Sequence, residues 1–201
     1  MSTTTKRLPG VDRPVRVQRL VDELPPVHLE PDIPEAGPDW TVTVDGLVER
    51  PLRLSLPQLA ELGSTEVVMD HHCVWGWSRR SCRFGGVPLG ALLDHAGLRP
   101  GARVVTIACR ATPYSSCLEL ADAREGVLAW ELDGRPLAPE NGWPLRFQNP
   151  PWLWGYKGVK WVGRVTVGER FEPGFWESRV ADPAGRIPPE LLLPFDTEED
   201  L

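Results

Sequence analysis

Hydrophobic and polar residues alternate from Trp40 through Val42 and Val44, with Thr41 and Thr43 between them, and the run ends in Asp45-Gly46. Alternation of period two, closed by an Asp-Gly pair, predicts a half-buried strand and a turn. Leu52 to Leu54 reads as the short partner strand. Ser55-Leu56-Pro57-Gln58 then forms a capping box, with Ser55 as N-cap and Gln58 at N3. It opens a short helix through Leu59 and Leu62 that Gly63 ends. Val67 to Met69 predicts a brief strand. Leu89, Leu92, Leu93 and Ala96 recur at the spacing of one helical face, with Pro88 suited to the first turn and Gly97 to the stop. Val104 to Ala108 and Leu128 to Leu132 are apolar runs of strand length, the second entering a hairpin at Asp133-Gly134. Val159, Trp161, Val165 and Val167 alternate with Lys160, Arg164 and Thr166, a last amphipathic strand. Short mixed elements, with strands in the majority, predict an α+β domain.

From Met69 to Gly90 neither period holds, so the span reads as a loop fed by the Val67–Met69 strand. It is dense in chemistry: His71, His72, Cys73, Trp75, Trp77, Arg79 and Arg80. A thiolate needs cationic neighbours or a metal to be populated at neutral pH, and Cys73 is offered both. Adjacent residues on an extended segment point opposite ways, so at most one of the two histidines faces the same site as the thiol. A second span, Asn141-Gly142-Trp143-Pro144-Leu145-Arg146 followed by Gly155-Tyr156-Lys157-Gly158-Val159-Lys160-Trp161, pairs glycines with cations. Glycines let backbone approach a ligand, successive amides with lysines seat a phosphate, and Arg146 adds a planar two-pronged donor.

Length and composition narrow the rest. The 201 residues suffice for one domain, read as an extended arm over 1–38 able to dock on it, a domain over 39–180 and a loosely held tail over 181–201. The net charge of -6 offers no general attraction for nucleic acid or an anionic membrane, so any basic site is local. Twenty-two prolines argue against a helical bundle. The first residues show no secretory pattern and no run is long enough to span a membrane, so the expected location is cytoplasmic. Four cysteines in that setting read as thiols; Cys82 and Cys117 as small buried hydrophobes, Trp75 and Trp77 as core or cofactor wall, His95 as surface.

Taken together and in order, these stretches resemble the sulfite-oxidase-like molybdopterin enzymes. The likeness rests on Asp70-His71-His72-Cys73, Gly76-Trp77-Ser78 and Phe84-Gly85-Gly86-Val87-Pro88-Leu89. The segments Glu131 to Leu137, Asn141 to Arg146, Gly155 to Trp161 and Pro173 to Trp176 follow, and the match covers roughly residues 35 to 178. It implies the sulfite-oxidase-like fold, a single mixed-sheet domain, and a molybdenum–pyranopterin cofactor. It also implies oxygen-atom transfer to or from a small, anionic or sulfur-containing substrate, with an unidentified electron donor or acceptor. Carried over position by position, Cys73 is the metal ligand, a soft thiolate suited to molybdenum. Asn141, Arg146, Gly158, Val159 and Lys160 fall at cofactor-contacting positions, Cys109 falls near another, and His28 in the arm is a further candidate. Tyr114 resembles the active-site tyrosine of the sulfite-oxidising branch, and Arg110 or Arg79 is placed to attract an anionic substrate.

The chain departs from the pattern at Phe147-Gln148-Asn149-Pro150-Pro151 and after Ser178. Two rival readings therefore stay open: a zinc hydrolase built on His71, His72, Cys73 and Cys82, and a cofactor-free binding module that keeps the fold. Neither the substrate, the direction of reaction nor the oligomeric state is legible in the sequence.

Overall fold

The computed structural model describes residues 4–8, 15, 18–26, 33–35, 37, 39–179 and 182–191. In chain order its elements begin with β1 (Thr4–Arg7), β2 (Arg19–Leu20), β3 (Thr41–Gly46), β4 (Leu52–Ser55) and α1 (Leu56–Glu61). Next come β5 (Thr65–Cys73), β6 (Trp77–Pro88), α2 (Leu89–Ala96), β7 (Val104–Cys109), β8 (Ser115–Glu119) and α3 (Leu120–Glu125). The last are β9 (Val127–Leu132), β10 (Arg135–Pro136), β11 (Arg146–Gln148) and β12 (Val162–Gly168).

The strands form two mixed sheets. One runs β4-β3-β12-β7-β8, with β12 parallel to β3 and antiparallel to β7. Val42 and Val44 of β3 and Val165 and Val167 of β12 bury their side chains, as the alternation requires. The other runs β1-β5-β6-β9-β10, with β11 beside β9 and β2 beside β6. Trp40, the β3 and β12 valines, α2 and Phe147 share one apolar core, and Val67, Met69, Trp77, Phe84, Ala129 and Leu137 form a second. The α+β expectation holds.

Local signals performed as their chemistry dictates. Ser55 and Gln58 close a reciprocal capping box, and α2 buries Leu89, Leu92, Leu93 and Ala96 before ending at Gly97 in a positive-φ conformation. Pro88 caps this helix from outside its first turn. The expected strand over 159–167 begins only at Val162, because Trp161 takes a positive φ of 53° and interrupts it.

Two expectations about organisation change, and the arm's docking takes a definite form. The Met69–Gly90 span is a long antiparallel hairpin, β5 against β6, rather than a loop. Its period-two signal is lost because Val67 to His72 are buried on both faces and a bulge falls between Met69 and His71. Parts of the arm belong to the sheet: β1 pairs in parallel with β5, and β2 with β6 beside Trp77 and Ser78. Residues 182–191, assigned to a loose tail, pack on the domain through a buried Ile187 and backbone bonds to Trp152 and Trp154. Among the described residues no helix is long and apolar enough to cross a membrane.

Candidate cofactor site

Cys73 ends β5 beside the hairpin's tip, half-buried, opposite Trp77. Burial raises its thiol pKa and a backbone hydrogen bond from Trp75 opposes the shift, so the free thiol is protonated until a metal or cation takes the proton's place. Past the bulge the strand alternates cleanly. His71 and Cys73 share a face with Trp77 and Arg79, while His72 and Ser78 share the other. The His71 ring stacks on Trp77, with centroids 5.4 Å apart.

Behind His71 stands a polar chain that reaches the second cation-rich span. Arg146 and Gln148 lie two residues apart on β11 and so project to one face. The Arg146 guanidinium donates through Nε to Gln148 Oε1 at 3.0 Å and through Nη1 to the Asn141 carbonyl at 3.2 Å. Because Arg146 only donates, Gln148 must turn its amide nitrogen toward His71 Nδ1, 3.1 Å away. That makes Nδ1 an acceptor and leaves the proton of a neutral ring on Nε2. Burial, then the charges of Arg146 and neighbouring groups including Lys160, hold His71 well below the usual imidazole range. Two further backbone positions close this corner. Gly142, at φ 108°, brings Arg146 and Lys160 side by side, since a Cβ there would stand 3.2 and 3.1 Å from their Cβ atoms. At Gly155 a Cβ would stand 2.6 Å from His71 Nε2.

Arg146 is the electrostatic anomaly. It is 5 % exposed, and among the described residues no carboxylate forms an ion pair with it. Desolvation pulls its pKa down to about 10. A buried guanidinium held by neutral partners is a cation built to receive an anion. Lys160 donates to the Glu140 carbonyl and lies over the Trp161 ring, close enough to His71 to act on its charge.

The remaining sequence candidates divide. Asn141 sits in the turn before β11, its side chain donating to Leu24 of the arm and its carbonyl accepting from Arg146. Gly158 and Val159 lead into Lys160, but their amides donate to Gly155 and Phe147 carbonyls, so these two positions offer shape and not amide donors. Lys157, expected in the same phosphate seat, turns inward to a fully buried ion pair with Glu177. Tyr114 donates its hydroxyl to the Tyr156 carbonyl at 2.7 Å and acts on the charge of Arg146. Cys109 is buried at the end of β7, its sulfur accepting from the Ala111 amide. Arg110 is exposed and stacks its guanidinium over Trp40. Arg79 is engaged by Asp133 and by the Asp22 carbonyl. His28 lies outside the described residues. Trp75 is 59 % exposed rather than part of the core, because it occupies the hairpin tip.

The zinc alternative fails on direction. His71 turns to Gln148, His72 turns to Ser78, and Cys82 lies beyond the bulge, opposite Met69, with burial pushing its thiol up to about 12. Among the described residues no three His, Cys, Asp or Glu side chains converge as a metal-binding group. The sequence reading missed Gln148 as a site residue. Its signal was the period of two from Arg146, inside a run that was noted only for departing from the family pattern.

These features meet in a recognisable class. A family model described as the oxidoreductase molybdopterin binding domain matches residues 28–176, and the chain belongs to that family. It is 33% identical over 164 residues to an uncharacterized oxidoreductase, YuiH, of Bacillus subtilis, covering 80% of this chain and 81% of the relative. It is 32% identical over 154 residues to the protein-methionine-sulfoxide reductase catalytic subunit MsrP of Xanthomonas axonopodis, covering 68% of this chain and 47% of the relative. The chain thus spans about half the length of that reductase subunit. The fold is similar to the sulfane dehydrogenase SoxCD of Paracoccus pantotrophus, at a TM-score of 0.62 and 23% identity over 69% of this chain and 40% of that one. The residues present fit the family's cofactor: a thiol suited to molybdenum at Cys73, and at Arg146 a buried cation that no carboxylate pairs among the described residues, suited to a phosphate.

Proposed function

We propose that this chain is a molybdenum–pyranopterin oxidoreductase that removes the oxygen of a neutral sulfoxide-type substrate. In this reading Cys73 holds the metal through its sulfur. Arg146 and Lys160 hold the phosphate end of the pterin, Asn141 carries the Arg146 guanidinium on its carbonyl, and Gln148 fixes His71 as a neutral ring with its proton on Nε2. The cofactor, when bound, supplies the two-electron redox couple and the site at which oxygen is exchanged. The net reaction converts a sulfoxide, two electrons and two protons to a thioether and water, with an external electron-transfer protein as the reductant.

The observation that carries the substrate class is the rim beside Cys73. Val74 and Trp75 stand 46 % and 59 % exposed there, while both arginines considered for an anionic substrate are engaged elsewhere, Arg79 by Asp133 and Arg110 over Trp40. An apolar rim favours an uncharged substrate over sulfite, which would need unpaired cations to offset its desolvation. The relatives named as methionine-sulfoxide reductase subunits agree with this choice. The test is turnover by protein made in a molybdenum-replete host, with a reduced dye as electron source. Methionine sulfoxide, free and within a peptide, is expected to be reduced and sulfite to be left unoxidised with an acceptor dye. Sulfite oxidation without sulfoxide reduction overturns the substrate reading, and zinc in place of molybdenum overturns the whole of it.

A further inference from the structure

Glu177 is 2 % exposed and lies in no strand or helix, yet its carboxylate accepts four hydrogen bonds. Oε1 accepts from Lys157 Nζ at 2.6 Å, from Ser116 Oγ at 2.6 Å and from the Cys117 amide at 3.1 Å. Oε2 accepts from the Gly174 amide at 2.7 Å. Lys157 completes its own set with the Cys117 and Pro183 carbonyls. A buried ion pair is worth its desolvation only when further hydrogen bonds saturate both ions, and here they do.

The partners of this pair have one thing in common. Lys157 belongs to the turn Gly155–Lys157, which sets Gly155 against His71 and leads through Val159 to Lys160. The same turn is gripped from behind by residues 182–187: Tyr156 donates its hydroxyl to the Asp182 carbonyl, Trp154 its amide to Gly185, and Ile187 its amide to Trp152. Tyr114 grips it from the other side through the Tyr156 carbonyl. The hydrogen bonds of the pair thus end on β8 or on the strap of residues 173–179 and 182–187, and Lys157 also lies over the Phe171 ring.

We infer that Glu177 is a positioning residue, which through Lys157 clamps the 152–160 segment in the conformation that presents Lys160 and Gly155 to the cofactor. This rests on the reading of the site as a pterin seat. Groups that orient a metal or cofactor ligand from behind commonly change affinity by about 10- to 100-fold when removed.

The test compares Glu177→Gln with Val44→Ala, a core variant on β3, three strands from β8 in its sheet, in apo-protein and in protein loaded with molybdenum cofactor. Amide exchange over 152–160 in the apo-protein and molybdenum retained during dialysis are the two readings, with melting temperature as the stability control. Glu177→Gln is expected to accelerate exchange in 152–160 and to shed molybdenum about tenfold faster or more. Val44→Ala, melting no higher, is expected to do neither. Tyr156→Phe, which deletes only the bond to the Asp182 carbonyl, is expected to shift both readings in the same direction and decides the matter if Glu177→Gln does not fold. Unchanged retention, with or without faster exchange, overturns the inference, as does equal molybdenum loss from Val44→Ala. If wild-type protein holds no molybdenum, the cofactor reading fails separately, and the exchange pattern alone then decides whether the clamp exists.

Discussion

Gln148 joins Arg146 to His71: its side-chain oxygen accepts from the guanidinium at 3.0 Å and its amide nitrogen lies 3.1 Å from the imidazole. A neutral residue here leaves Arg146 without a carboxylate among the described residues and so able to receive an anion. Gln148→Glu is nearly isosteric and supplies the missing negative charge. The variant apo-protein is expected to melt higher, because the buried cation gains a partner. Its cofactor affinity is expected to fall by roughly tenfold, the equivalent of about 1.4 kcal/mol of diverted interaction. Thermal melting of apo-protein and molybdenum per folded chain check both halves.

Lys157 and Lys160 stand three residues apart and are expected to fail in different ways. Lys157→Ala strands the Glu177 carboxylate in the interior and should destabilise the fold by about 3–5 kcal/mol. Lys160→Ala and Arg146→Ala should leave a folded protein depleted of cofactor, with about 30-fold weaker binding or more, from the loss of one partner of a desolvated charge pair. Urea unfolding monitored by circular dichroism separates the first effect from the second. If Lys157→Ala unfolds at the wild-type urea concentration, the buried pair is not the stabilising contact described.

Cys73→Ser tests the proposed ligand. Serine offers a harder oxygen donor in nearly the same volume, so the variant should fold as the wild type does yet lose at least about 100-fold in turnover, the upper range for perturbing a metal's donor environment. Cys82→Ala, in contrast, should keep its molybdenum, because that thiol faces the Arg79 carbonyl. The comparison of metal content and rate in the two variants is decisive.

Cys82 also predicts a pH dependence. Burial raises its thiol from 9.0 to about 12 in the folded protein. Above pH 9 the unfolded chain loses this proton first, so the folded state binds more protons and stability falls as pH rises. The contribution is complete well below pH 9 and is gone above about 12, with about 1.4 kcal/mol lost by pH 10. Unfolding of wild type and Cys82→Ala at pH 8 and pH 10 should therefore converge as pH rises. Parallel curves would mean that this thiol does not titrate as its burial requires.

Period and punctuation in the sequence determined much of the frame. The Trp40–Val44 alternation, the Ser55–Gln58 capping box and the Leu89–Ala96 face each encode one local structure, because a single buried face and a cap leave a readable trace. Sequence order alone also carried the family, through spaced motifs that need no geometry to be compared. The β5–β6 hairpin was not legible, since a strand buried on both faces has no alternation and the bulge beside Asp70 shifts what remains. Nor were the roles of like residues. Only tertiary contacts send Lys157 inward to Glu177 while Lys160 stays near His71, and only they give Arg146 neutral partners among the described residues while giving a carboxylate to Arg79. Charge is written in the sequence, but its partner is chosen by where the sheets and the strap bring side chains together, and that partner decides whether a cation stabilises the fold or awaits a ligand.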